Sequence, residues 1–167
     1  MAHTLVVVRH AKSDWSVLAD DRDRPLATRG RRQAPAVGHW LAGQGLRIDL
    51  AVVSIAQRAR STWDLVAREL GDPLPTTQEA AAAYTFDGDA LVDLVCALPE
   101  SAGTVALVGH NPAVEELVES LTGVSAAMPT AAVAVIDLEQ WSRAGDGRGV
   151  LRAAGRPADG PLALSAP

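Results

Sequence analysis

The sequence predicts an α/β fold: a three-layer α/β/α sandwich around a mostly parallel central sheet, with an antiparallel hairpin at one edge. Three observations carry this prediction. The runs Leu5-Val6-Val7-Val8 and Val105-Ala106-Leu107-Val108 are short, apolar and rich in β-branched residues, as strands buried on both faces are. Segments of helical period separate the strand candidates, the alternation that builds parallel sheets with helices on both faces. The last two strand candidates flank Gly145-Asp146-Gly147, a turn signal expected of a hairpin.

The elements follow in order. Strands are expected at 4–9, 50–54, 105–108, 131–138 and 149–154. Thr28 can cap a helix that runs to about residue 42, with Gly43 and Gly45 at its end. A second helix should run from Gln57 to about Leu70 and stop at Gly71. Asp87 or Asp89 can cap a third, through Leu98, which Pro99 terminates. Asn111 can cap a fourth with Pro112 in its first turn, ending near Gly123. One domain over 1–154 and an irregular tail over 155–167, rich in Pro, Gly and Ala, are expected.

Bulk properties narrow the class. A chain of 167 residues buries roughly 70% of its unfolded surface, so it can fold without a metal or a disulfide. The net charge of −5 speaks against a nucleic-acid binder, which needs many cationic phosphate contacts. Cys96 is the single cysteine, which rules out an internal disulfide and suits a reducing compartment. Its apolar surroundings read as core. With no signal-peptide pattern and no apolar run of membrane-spanning length, the expectation is a cytoplasmic monomer without membrane contact.

Two strand ends concentrate polar chemistry. Arg9-His10 closes the first apolar run and Gly109-His110-Asn111-Pro112 closes the second, which places two histidines at the carboxyl edge where open α/β sheets bind ligands. Arg58 falls in the first turn of the second helix, at the same edge. Helix amino ends attract anions, and a guanidinium adds two directed donors matched to phosphate oxygens. Arg9 and Arg58 would hold a phosphoryl group, a neutral His10 would attack phosphorus as a nucleophile, and His110 would donate to a phosphoryl oxygen. No cofactor and no metal is required: the arginines supply the positive charge, and the histidines lack zinc-ligand spacing.

At this level the chain resembles the histidine phosphatase superfamily, with its phosphoglycerate-mutase-like fold, and within it the small phosphohistidine phosphatases of the SixA type. Four blocks carry the resemblance over roughly residues 4–135: Arg9-His10-Ala11-Lys12-Ser13-Asp14-Trp15; Arg24-Pro25-Leu26 with Arg29-Gly30-Arg31-Arg32-Gln33-Ala34; Ser54 with Arg58-Ala59 and Thr62; and Val108-Gly109-His110-Asn111-Pro112. The resemblance implies that His10 is phosphorylated and that Arg9, Arg58 and His110 bind the phosphoryl group. Two departures stand out. Many members carry Asn six positions after the nucleophile as a phosphate ligand; here Ser16 stands there and its hydroxyl can substitute. Larger members carry an acidic proton donor between the third and fourth blocks, where this chain has an alanine run after Glu79. Glu79, Asp87 and Asp89 are nearby candidates without a defined place.

The missing acid bears on substrate. Alcohol leaving groups need protonation, to which a positioned acid contributes about 10²–10⁴-fold. Phosphohistidine takes its proton from solvent near neutral pH, because imidazole has a pKa of about 6.5. A phosphohistidine on a protein is therefore the expected substrate, with small phosphomonoesters by the same mechanism, or phosphate recognition without catalysis, as alternatives. Lys12 and Ser13 either touch substrate or shape their loop. The arginine-rich run Arg22–Arg32, with Asp20, Asp21 and Asp23 beside it, reads as a solvated, salt-bridged surface. His3 and His39 read as non-catalytic, and the four tryptophans as packing groups.

Overall fold

The computed structural model describes residues 3–166. Six strands, β1 (His3–Arg9), β2 (Leu50–Ser54), β3 (Thr76–Ala80), β4 (Thr104–Gly109), β5 (Val133–Leu138) and β6 (Val150–Gly155), form one sheet in the order β3-β2-β4-β1-β5-β6. The pairs β1–β4, β2–β4 and β2–β3 are parallel, whereas β5 runs antiparallel to both β1 and β6. The sheet is thus mostly parallel with the expected antiparallel pair at one edge.

Four main helices, α1 (Thr28–Gly43), α2 (Gln57–Ala67), α3 (Gly88–Cys96) and α4 (Ala113–Thr122), complete the three layers. The strand alternation divides the core in two. Leu5, Val7 and Leu107 pack with Leu91, Val95, Leu117 and Leu121 of α3 and α4. Val6, Val8, Val53 and Val108 pack with Val37 and Leu41 of α1 and with Trp63 and Val66 of α2. Each such buried aliphatic side chain contributes about 1.5–3 kcal/mol. Both faces of β1 and β4 are spent on packing, so their polar chemistry is confined to the strand ends.

The structure departs from the sequence expectation at several points. Strand β3 is an additional strand: Thr76-Thr77-Gln78-Glu79 is polar and exposed, has no apolar alternation, and is an edge strand through its pairing with β2. Thr28 is the first residue of α1 rather than its cap; the cap position falls on Ala27, which makes no side-chain hydrogen bond to the helix. Asn111 does not cap α4 either: its amide donates to Glu115 Oε1 at 2.8 Å and to Met128 O at 3.0 Å, and Pro112 precedes the helix. Helix α2 ends at Ala67 and α3 at Cys96, each short of the expected end. The link between β5 and β6 is a 3-10 stretch, Trp141–Asp146, rather than a tight turn. Its driving feature is Trp141, fully buried with its indole donating to Ala102 O at 2.8 Å.

Two glycines and the tail complete the frame. Gly123, at φ 70°, closes α4 in the left-handed conformation, its N–H donating to Glu119 O at 2.7 Å, the common glycine cap. Gly30 in α1 lies against the chain leaving β1, where a Cβ would sit 2.1 Å from Lys12 O; only glycine permits that approach. Beyond β6, Trp40 donates to Leu162 O at 2.8 Å and Ser165 N to Arg152 O at 2.9 Å, so the tail lies against α1 and β6.

Candidate active site

The parallel order β2-β4-β1 brings the carboxyl ends of three strands together, and each delivers one polar residue. His10 follows β1, His110 follows β4, and Ser54 ends β2. The first turn of α2 adds Arg58. The His10 and His110 rings stand 5.1 Å apart between centroids. His10, Arg58, His110 and Ser54 are all buried, Arg58 with only 2% of its surface exposed.

The hydrogen bonds fix the chemical state of His10. Its Nδ1 lies 2.8 Å from Ala11 O. A carbonyl only accepts, so Nδ1 carries the proton and Nε2 presents a lone pair. Among the described residues Nε2 makes no hydrogen bond. Burial, with the neighbouring His110, Arg58 and Arg9, pushes the His10 pKa down to about 3, against the opposing pull of the Ala11 carbonyl. A neutral imidazole with one free nitrogen is the form required of a nucleophile.

His110 is engaged on both sides. Its Nδ1 accepts from Arg58 Nη2 at 3.2 Å, which leaves Nε2 as the donor to Ser54 Oγ at 2.7 Å. Burial first, then the Arg58 charge, lowers its pKa to about 4, with Asp21 acting in the opposite direction. Both nitrogens are therefore committed to protein groups, whereas the sequence reading had His110 facing a phosphoryl oxygen alone. A donor to substrate at this position requires the Nε2 proton to leave Ser54 Oγ, or His110 to take a second proton once a dianion lies beside it.

Arg9 donates through Nη1 to Met128 O at 2.9 Å. Its Nε and that of Arg58 are buried donors without a protein acceptor among the described residues. Two orphaned guanidinium donors beside His10 and His110 suit an oxyanion, since buried donors are seldom left unpaired. A brace fixes the arrangement: Ala11 N donates to Thr62 Oγ1 at 2.9 Å, and that hydroxyl donates to Arg58 O at 2.7 Å. Thr62 thereby ties the backbone after His10 to the turn that carries Arg58.

The remaining expected residues fall less centrally. Ser13 is buried and accepts from Arg24 Nη1. Ser16 is exposed, and its N and Oγ both bond Asp14 Oδ1, at 2.8 and 2.6 Å. Glu79 lies on the edge strand 3.7 Å from Arg60, and Asp87 caps α3 by accepting from Asp89 N at 3.0 Å. None of Glu79, Asp87 and Asp89 joins the hydrogen bonds around the two histidines.

The structure also brings into the site residues that the sequence does not place there. Asp21 is exposed and salt-bridged, as expected of its charged run, but its partners reach into the site: its Oδ2 receives Arg58 Nη2 at 3.0 Å and the Tyr84 hydroxyl at 2.5 Å, its Oδ1 receives Arg24 Nη2 at 2.7 Å, and its carbonyl receives Arg58 Nη1 at 2.6 Å. Arg24, 6% exposed, stacks at 3.6 Å over Trp15. Tyr84 and Phe86 stand 5.4 and 5.7 Å from the His110 ring. The spacing Asp21-x-x-Arg24, ahead of Pro25-Leu26, was the available signal for Asp21; nothing local marked Tyr84.

Known proteins resemble this chain in sequence and in fold. The sequence profile of the histidine phosphatase superfamily (branch 1) matches residues 5–82. An uncharacterized protein of Mycobacterium tuberculosis strain H37Rv is 33% identical over 152 residues, spanning 91% of this chain and 90% of that one. A 2,3-bisphosphoglycerate-dependent phosphoglycerate mutase of Beijerinckia indica is 40% identical over 93 residues, a match that takes in 53% of this chain and 45% of the enzyme. This chain thus spans under half of that relative. A protein of Nakamurella multipartitia described as a phosphohistidine phosphatase SixA superposes with a TM-score of 0.81 at 26% identity, over 93% of this chain and 96% of the other. A tungstate complex of the protein histidine phosphatase SixA superposes at 0.80 over 93% and 98%, and at 24% identity it speaks to the fold alone.

Proposed function

The chain belongs to the histidine phosphatase superfamily, and from that premise we propose that it is a phosphatase that hydrolyses phosphohistidine on a protein through a phosphorylated His10. The observation that carries this reading is the fixed tautomer of His10, with Nδ1 tied to Ala11 O and Nε2 free among cationic side chains.

The Nε2 lone pair forms a P–N bond as the substrate's P–N bond breaks, and the substrate ring, protonated beforehand from solvent on its distal nitrogen, leaves as neutral imidazole. Arg9 and Arg58 carry the phosphoryl charge and hold phosphorus in line with Nε2. Water then attacks phosphorus, the His10–P bond breaks, and inorganic phosphate leaves with the water's oxygen.

Leaving-group chemistry favours phosphohistidine over an alcohol ester. Asp21 is the carboxylate bonded into the site, and its hydrogen bonds, from Tyr84 first and then Arg24 and Arg58, hold it well below the usual carboxylate range. It is an anion and cannot serve as a proton donor. The apolar rim supports a protein substrate: Trp15, Val17 and Leu18 on the loop that carries Asp21 are 73%, 44% and 104% exposed, and Phe86 is 52% exposed. Protein surfaces bury such groups on contact. The proposed setting is the cytoplasm. Among the described residues no helix is long and apolar enough to cross a membrane.

The test is to incubate the purified chain with a phosphohistidine-bearing protein, phosphoramidate and a simple alkyl phosphate. Acid-labile phosphate should appear on His10, with the phosphohistidine protein turned over fastest. Faster turnover of the alkyl phosphate would move the assignment to small phosphomonoesters. Oxyanion binding without turnover of any of the three would make the chain a recognition module.

A further inference from the structure

We propose that Asp21 is a positioning residue that aims Arg58 at the phosphoryl group, rather than an anion that competes with substrate. This rests on the reading of Arg58 as a phosphoryl ligand.

Arg58 has five N–H donors. One Nη1 donor goes to Asp21 O, one Nη2 donor to Asp21 Oδ2 and one to His110 Nδ1. Nε is among the two left over and has no protein acceptor among the described residues. Two of the three partners thus come from a single residue that does not belong to the helix bearing Arg58. Backbone and side chain of Asp21 grip the far end of the guanidinium, which sets its plane and leaves Nε to meet a ligand.

A carboxylate beside a phosphate site raises an obvious objection, because it repels a dianion and could sit on Arg58 as a stand-in for substrate. Its other bonds decide against a displaceable contact. Tyr84 and Arg24 hold the carboxylate independently of Arg58, at 2.5 and 2.7 Å. Asp21 starts a 3-10 turn, Asp21–Asp23, whose Arg24 N–H returns to Asp21 O. The loop is closed at its base by a bridge between Ser13 and Leu26 and by Asp14 N donating to Pro25 O at 2.8 Å. A substrate phosphate would have to break the Tyr84 and Arg24 bonds to displace the Asp21 carboxylate, and the loop closure besides to displace its carbonyl, whereas the orphaned Nε asks for no such rearrangement.

The two roles predict opposite signs. Tungstate affinity should be measured for the parent, Asp21→Ala, Asp21→Asn and Arg58→Ala, each with a thermal melt. As a positioning residue, Asp21 gives an alanine variant that binds tungstate about tenfold more weakly, the scale of a lost charge-assisted hydrogen bond, although a negative charge has been removed. Asp21→Asn keeps an acceptor oxygen and should restore affinity to within about threefold of the parent. Unchanged or tighter binding in Asp21→Ala overturns the proposal, as does an asparagine variant that binds no better than alanine. Should Asp21→Ala fail to fold, Tyr84→Phe takes its place, with weaker binding expected and tighter binding contrary. Arg58→Ala separates the premise: if it binds tungstate like the parent, the phosphoryl-ligand reading falls and the role of Asp21 with it. A failure confined to the Asp21 variants leaves that reading intact.

Discussion

Strand β1 begins on one buried histidine and is followed by another, and the two are built for opposite ends. At its start, His3 is paired on both nitrogens, with Nδ1 3.1 Å from Ala102 O and Nε2 2.9 Å from Glu100 Oε2, and its ring lies 4.9 Å from that of Trp141. Just past its end, His10 is paired on one nitrogen only and faces guanidiniums and a second imidazole. Both are 8% exposed, so burial does not distinguish them. Partners do: two acceptors make His3 a clasp between β1 and the segment before β4, whereas one acceptor and a cationic field make His10 a reactive neutral base.

The sharpest way to break this contrast is to exchange the losses. His10→Asn should lower turnover of a phosphohistidine protein by about 10⁴-fold or more and abolish the acid-labile adduct, as removal of a covalent nucleophile does. His3→Asn should leave turnover within about twofold, since it touches no reacting group. Steady-state rates and a phosphate trap on both variants check this. Equal losses would mean that the two ends are not functionally different.

Arg58→Lys comes next. It retains a charge but loses the fork that reaches Asp21 and His110 together, and kcat/KM should fall by about 10²-fold. A loss under threefold would reduce Arg58 to a point charge.

Stability against pH gives a third test. Both His10 and His110 have folded pKa values pushed below 6.5, to about 3 and about 4. As pH falls below 6.5 the unfolded chain binds protons that the folded one refuses, so stability drops. The slope is up to about 1.4 kcal/mol per pH unit for each histidine, between 6.5 and the folded values. Denaturant melts over that window should show the decline, and His10→Asn should remove about half of it. The smallest effect belongs to His3→Ala, which should lower stability by about 1–3 kcal/mol at neutral pH through the lost hydrogen bonds to Ala102 O and Glu100 and the lost packing against the Trp141 ring, read from the same melts.

The reactive edge was legible in the sequence because it rests on strand ends, which short β-branched runs announce. His10, His110 and Arg58 follow from such runs and from a helix start, and the structure brings them together. Other parts could not be read locally. β3 is a strand by pairing alone, and its polar residues mimic a loop. Asp21 lies in a charged run whose ordinary fate is solvent, and only the fold carries Arg58 to it. The Gly30 position was visible as a motif letter, but its reason, the Lys12 carbonyl 2.1 Å from where a Cβ would stand, exists only once α1 is docked. Likewise Ser54 and Thr62 could be matched but not explained until His110 and Ala11 supplied their partners.

The excursion between Ser13 and Leu26 leaves and rejoins the body at neighbouring points, locked by their bridge. Its outer arc, Trp15 to Leu18, can therefore be lengthened, trimmed or recoloured by mutation at small cost to the sheet beneath, as closed surface loops allow. Descendants of one such protein could drift toward new clients through that arc while inheriting the same reaction. Grafting the arc from a relative is then a route to transplant client preference without rebuilding the catalyst.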